Sequence, residues 1–256
     1  MSAVFADIPL IYVLFALAFG FLAGFVKGAV GFALPLILIS SLSTFLPPED
    51  ALAVLVIPTL VANLWQAARG GFAPLKLVFR KFRRFLAVLL AGILIGAQFI
   101  PYFSEQVMFL LIGGPVVAFS LVQLAGFKFS VPDGRKGVVE VVLGSAAGVI
   151  GGVTGVWGPP TIAYLTALDT PKKVQIQTIG VIFGSGAVML LLSHLQSGVL
   201  NARTLPWSLM MVGPVIAGMA LGVLVQDRLD PVKFRRIPLI VLALAGLNLL
   251  RRGLMG

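Results

Sequence analysis

"GFVKGAVGFALP", residues 24–35, places one lysine, three glycines and a proline inside a stretch that is otherwise apolar. Apolar runs flank it on both sides, over about residues 8–27 and 31–46. A helix in hydrocarbon satisfies its own backbone hydrogen bonds. A break there frees amide and carbonyl groups that only protein, water or a ligand can satisfy. The stretch therefore predicts a helix interrupted within a membrane, with Pro35 opening the next helical piece, where its missing N–H costs little.

The rest of the chain supplies the membrane setting. Of 256 residues 59% are hydrophobic and 11% charged, and the mean hydropathy is +1.07. That balance lies far from the soluble norm. Further apolar segments run over about 50–69, 85–101, 105–126, 137–152, 156–168, 174–193, 205–225 and 232–250. No period-2 alternation of polar residues runs through them, so an all-α integral membrane protein is expected rather than a barrel. One membrane domain over 1–256 leaves no room for a soluble catalytic unit. The N-terminus carries only Asp7 and no basic run ahead of its apolar segment, so a cleaved signal peptide is not expected.

A net charge of +10 invites a nucleic-acid reading, but its placement opposes one. Lys76, Arg80, Lys81, Arg83 and Arg84 cluster between apolar segments, as do Lys128, Arg135 and Lys136, and Arg228, Lys233, Arg235 and Arg236. Short basic loops of this kind mark the cytoplasmic side. Lys172 and Lys173 then also fall inside, whereas Glu49, Asp50, Glu105 and the 194–204 loop fall outside. Arg251 and Arg252 go against the pattern.

The two halves repeat. At an offset of 124, Gly20, Gly24, Gly28, Gly31, Pro35 and Pro47 fall on Gly144, Gly148, Gly152, Gly155, Pro159 and Pro171. At an offset of 126, "AGILIG" (91–96) falls on "AGMALG" (217–222). Small-residue helix packing alone accounts for either block, but not for both in the same order. With the orientation above, the repeats (about 8–126 and 137–250) are inverted with respect to each other.

The second break can be argued from length. Residues 137–168 would reach about 48 Å as a helix, too short for two crossings of a roughly 30 Å core and a turn. An interruption must fall inside, at "GVIGGVTGVWGPPTIAYL", where Pro159 and Pro160 match Pro35. Broken or re-entrant helices from both repeats would then meet near the midplane and aim their free N–H groups at one solute. Positive helix ends suit an anion. Candidate binding residues are Lys27, Gly28 and Gly31 in the first break, and Gly152, Thr154, Gly155 and Trp157 in the second. Thr59, Asn63 and Gln66 share a helical face at i, i+4 and i+7, Gln175, Thr178 and Ser185 share one at i, i+3 and i+10 in the partner segment, and both faces could flank the site. Each has a plain alternative. Glycines pack helices, polar residues bond neighbouring helices, Trp157 could anchor, and Lys27 could snorkel to the headgroups.

No Asp or Glu sits deep in an apolar segment; Glu105 and Glu140 lie near segment ends. Cation carriage and carboxylate-based proton coupling are thus unsupported. With no cysteine and one histidine, His194, no metal, cofactor or catalytic centre is expected.

The paired blocks "GFVKGAVGFALPLI" and "GVIGGVTGVWGPPTIAYL", each opening one half of a duplicated chain, resemble the sulfite exporter TauE/SafE family of membrane transport proteins. The resemblance covers essentially the whole chain. It implies export of a small sulfur-containing anion (sulfite, sulfoacetate or another organosulfonate) across the bacterial cytoplasmic membrane by alternating access, with an importing sulfonate permease or a non-transporting membrane subunit as alternatives. It also implies about eight transmembrane segments, fewer than the ten apolar pieces, as expected if broken pairs are counted differently. The expected partners are a small anionic substrate and the lipid bilayer, with no nucleic acid and with a homo-oligomer left open.

Overall fold

The computed structural model describes residues 9–69, 73–127, 130–131, 134–168, 172–226 and 231–255. Asp7, Lys128, Asp169, Pro171, Asp227, Arg228 and Asp230 lie outside the described residues, as do the side chains of Lys172, Lys173, Lys233, Arg235 and Arg236. Among the described residues all regular structure is helical. In chain order the helices are α1 (Leu10–Val30), α2 (Leu34–Leu42), α3 (Pro48–Arg69), α4 (Ala73–Lys81), α5 (Arg83–Ala97), α6 (Glu105–Leu124), α7 (Lys136–Thr154), α8 (Gly158–Ala167), α9 (Lys172–Gln196), α10 (Leu205–Met210), α11 (Val212–Val225) and α12 (Pro231–Met255). A 3₁₀ turn, Ile100–Tyr102, follows α5. Among the described residues seven stretches are long and apolar enough to cross a membrane: Leu10–Val30, Pro48–Arg69, Arg83–Tyr102, Glu105–Leu124, Lys136–Thr154, Gln177–Gln196 and Leu205–Val225.

Two of the four shortest helices, α2 and α8, follow the glycine breaks. The 9 residues of α2 span about 14 Å and the 10 of α8 about 15 Å, half of a hydrocarbon core. Each follows a long helix after three non-helical residues and packs back against it. Tyr12, near the start of α1, stacks on Phe45, just past the end of α2, with ring centroids 5.3 Å apart. The α1–α2 hairpin thus begins and ends at one level.

Glycine decides which long helices touch. α1 packs along α11, and a Cβ on Gly24, Gly28, Gly218 or Gly222 would run into the backbone of the other helix. α5 packs along α7 in the same manner through Gly92, Gly96, Gly144, Gly148 and Gly152. The register shows direction. Gly20 meets Met211, Gly24 meets Val215 and Gly28 meets Met219, so α1 and α11 run parallel. Gly144 meets Phe85, Gly148 meets Leu89 and Gly152 meets Ile93, so α5 and α7 do too. By the same reading α6 and α12 are antiparallel, with Gly113 on Gly246 and Gly253 on Gln106. α3 and α9 are also antiparallel, with Gly180 on Ala67 and Gly184 on Asn63. In lipid, where apolar contact gives no water-driven advantage, this close backbone approach is the main source of helix association.

Proline bends α3. Pro58 cannot bond Val54, and Ser208 of α10 fills the gap: its hydroxyl donates to the Val54 carbonyl at 3.0 Å and accepts from the Ile57 N–H at 3.0 Å. The second half of α3 packs along α9, and Gln66 near its end reaches Lys27 of α1.

Candidate functional site

The site is framed by the two interruptions. α1 ends where Gly31 turns into the left-handed region (φ 86°), its N–H bonding the Lys27 carbonyl at 2.7 Å. Phe32 and Ala33 follow, and Ala33 also has a positive φ of 79°, which strains any residue with a Cβ. α2 then starts with Pro35 in its first turn. The second break repeats this. Gly155 caps α7 at φ 72°, its N–H bonding the Gly151 carbonyl at 2.8 Å, and α8 starts after Trp157 with Pro159 and Pro160 in its first turn.

Lys27 does not snorkel. It is 1% exposed, and its Nζ donates to Gln66 Oε1 at 2.6 Å, with the Gly31 carbonyl a distant 3.5 Å away and the Phe183 ring centre at 5.6 Å. No carboxylate of the described residues lies within ion-pairing distance of it. An ammonium buried beside a neutral amide is short of a counter-charge.

Gln66 and other buried polar groups have atoms without partners among the described residues. Gln66 spends its oxygen on Lys27, leaving Nε2 unbonded. On the same face of α3, Asn63 is 1% exposed with both Nδ2 and Oδ1 unbonded, and Thr59 Oγ1 is unbonded too. The Trp157 indole N–H is a fourth orphan donor. Its ring meets Phe183 edge to face at 6.2 Å, and a Cβ at Gly151 or Gly186 would sit under 3 Å from the Trp157 side chain. Phe183 therefore lies near a residue of each break, its ring centre 5.6 Å from Lys27 Nζ and 6.2 Å from the Trp157 ring. Buried polar groups are normally bonded, so these unbonded atoms are groups that a ligand or water could bond.

Other candidates from the sequence are placed differently. Gly28 and Gly152 sit at the α1–α11 and α5–α7 crossings, against backbone. The Thr154 hydroxyl donates to the Ile150 carbonyl at 2.7 Å and accepts from the Val156 N–H at 3.2 Å, closing the end of α7. Gly155 lies against Leu52 and Leu55 of α3, whereas Gly31 faces the Gln66 amide at 3.6 Å from its would-be Cβ. Gln175 bonds Thr166 at 3.3 Å on an exposed surface, Thr178 is buried, and Ser185 bonds back to Val181.

Two features escaped the sequence reading. Phe183, one of nineteen phenylalanines, has no pattern to single it out except the small residues at 180, 184 and 186 that clear space beside it. Glu140, in the second turn of α7, is buried rather than marginal: Tyr164 of α8 donates to its Oε1 at 2.7 Å, and the Tyr164 ring stacks on Phe85 at 4.9 Å.

A family model described as sulfite exporter TauE/SafE matches residues 16–249. No curated protein and no solved structure matches the chain.

Proposed function

The chain belongs to the sulfite exporter TauE/SafE family, a family of membrane transporters, and on that premise we propose that it carries a small sulfur-containing anion out of the cell through the Lys27–Gln66 site. The observation that carries this reading is the fully buried Lys27 ammonium, whose close hydrogen-bond partner is a neutral amide and which has no carboxylate partner among the described residues. A monoanion beside Lys27 and Gln66 Nε2 would supply the missing charge and occupy an orphan donor.

The architecture proposed to move it is a pair of inverted repeats in one membrane domain. Three things support that. α1 and α7 both end in a left-handed glycine followed by a proline-started half-helix. The parallel pairs α1–α11 and α5–α7 exchange under the sequence offset, while the antiparallel pairs α3–α9 and α6–α12 each map onto themselves. This is what a two-fold axis in the membrane plane requires. Finally, Asp50 and Arg203 pair at 2.7 Å, joining two loops that charge placement puts on the same outer side. Alternating access would then rock the two half-helices about the Lys27–Phe183–Trp157 line.

Outward direction follows from charge. With the cell interior negative, one negative charge moving outward gains about 2.3 kcal/mol per 100 mV, so an exporter in the cytoplasmic membrane needs no coupled ion.

Flux of sulfite and of organosulfonates from proteoliposomes tests the proposal. An inside-negative potential is expected to accelerate efflux, and Lys27→Gln to reduce it at least about 10-fold, the loss of one buried charge-assisted hydrogen bond. Flux unaffected by Lys27→Gln would overturn the site, and flux of no oxyanion would overturn the function.

A further inference from the structure

We propose that the substrate is an oxyanion that also bears a hydrogen-bond donor, and that Asn63 recognises that donor. The inference rests on the reading of the Lys27–Gln66 cluster as the transport site, and adds to it the chemistry of what enters.

The Lys27 ammonium can only donate, so it fixes the Gln66 amide with Oε1 turned to it at 2.6 Å and Nε2 turned away. Gln66 Nε2 and the Trp157 indole N–H are likewise donors without partners. All three suit an anion's acceptor oxygens. Asn63, one turn before Gln66 on the same face of α3, differs: both ends of its amide are unbonded in a side chain that is 1% exposed. Exchanging its oxygen and nitrogen changes nothing, because one donor and one acceptor remain orphaned either way. Thr59, one turn further along, adds a hydroxyl able to serve in either sense.

A ligand with acceptors alone would satisfy the Asn63 nitrogen and leave its carbonyl oxygen buried with nothing to accept. A site built to bond a substrate hydroxyl or amine discriminates strongly against the analogue lacking it, since the protein's polar atom is then stranded. Sulfate and simple alkylsulfonates lack such a donor. Hydroxy- and amino-substituted sulfonates, and the hydrogen form of an oxyanion, carry one.

The test compares two ligands of equal charge and nearly equal size, 2-hydroxyethanesulfonate and 1-propanesulfonate, which differ by a hydroxyl in place of a methyl. Binding is measured by calorimetry on the purified full chain in lipid nanodiscs. The wild type is expected to bind the hydroxylated ligand about 10- to 100-fold more tightly, the penalty of one buried acceptor left unpaired. In Asn63→Leu that ratio should fall to about 1 while 1-propanesulfonate binding persists. Equal binding of both ligands by the wild type would overturn the inference and leave the transport site standing. So would a ratio unchanged in Asn63→Leu. Binding of neither ligand, by a chain that is folded, would overturn the site itself and the inference with it.

Discussion

The two interruptions share a backbone and divide the chemistry. At 31–33 and at 155–157 a long helix ends in a left-handed glycine, and a proline opens a half-helix a few residues on. Yet the offset of 124 that aligns the glycines sets Lys27 against Gly151 and Ala33 against Trp157. In these two matched pairs the large side chain is Lys27 in the first break and Trp157 in the second. In the second, Gly151 leaves the space that the Trp157 indole fills, its would-be Cβ only 2.9 Å from Trp157 Cβ. In the first, the small Ala33 leaves room and Lys27 reaches past it to Gln66. The two breaks share the backbone device, while the first carries a charge and the second an aromatic ring.

The largest effect should come from what the two regions have in common. Gly28→Leu and Gly152→Leu each drive a side chain into the backbone of the neighbouring helix, at Met219 and Ile93 respectively. Overpacking against a main chain has no side-chain rotation to relieve it. Both variants are expected to lose most folded protein, seen as collapse of the monodisperse peak in size-exclusion chromatography after detergent extraction. A well-folded Gly152→Leu beside a misfolded Gly28→Leu would break the equivalence of the two crossings.

A smaller effect should separate the breaks. Alanine at Gly31 or Gly155 must adopt a positive φ, costing about 1–2 kcal/mol. At Gly31 that is nearly all, because the new methyl group would find only the Gln66 amide at 3.6 Å. At Gly155 it would also lie 2.7 Å from Leu55 Cδ1, adding about 1–3 kcal/mol of overpacking. Thermal unfolding in detergent should therefore rank wild type above Gly31→Ala, and Gly31→Ala above Gly155→Ala. Equal losses would mean that α3 yields to the second break as freely as to the first.

These contrasts show what one sequence could convey. Helix breaks were legible because glycine and proline act through the backbone, and their effect is local. The helical content, the two half-helices and the α3 face bearing Asn63 and Gln66 follow from spacing of the same local kind. The role of Gly28 and Gly152 was not legible: a glycine that admits a ligand and one that admits a helix look alike until the neighbour is known. Nor could Lys27 be told from a snorkelling lysine before Gln66, 39 residues away, was brought to it. Arg252 was the outlier in the charge pattern, and the fold gives it an occupation. It donates to the Ser43 carbonyl beyond the end of α2, and its guanidinium lies 4.1 Å from the centre of the Phe109 ring. A cation bound in that way contributes to packing as well as to orientation.

The smallest expected effects compare the half-helices themselves. Tyr164 of α8 and Ser40 of α2 occupy matched positions under the offset of 124, as do their facing partners Glu140 and Ala16. Tyr164 donates to Glu140 at 2.7 Å and holds α8 to α7, whereas the buried Ser40 hydroxyl has no partner. Tyr164→Phe keeps the ring stacked on Phe85 but strands a buried carboxylate, and should lower stability by about 1–3 kcal/mol. Ser40→Ala removes an orphan and should leave stability unchanged or raise it by up to about 1 kcal/mol. Opposite signs in thermal unfolding would mark α8 as the half-helix tied to its long partner and α2 as the one without that tie. A matching loss in both would require Ser40 to have a bond that α2 forms only in another conformation, and the half-helix that moves would then be α2.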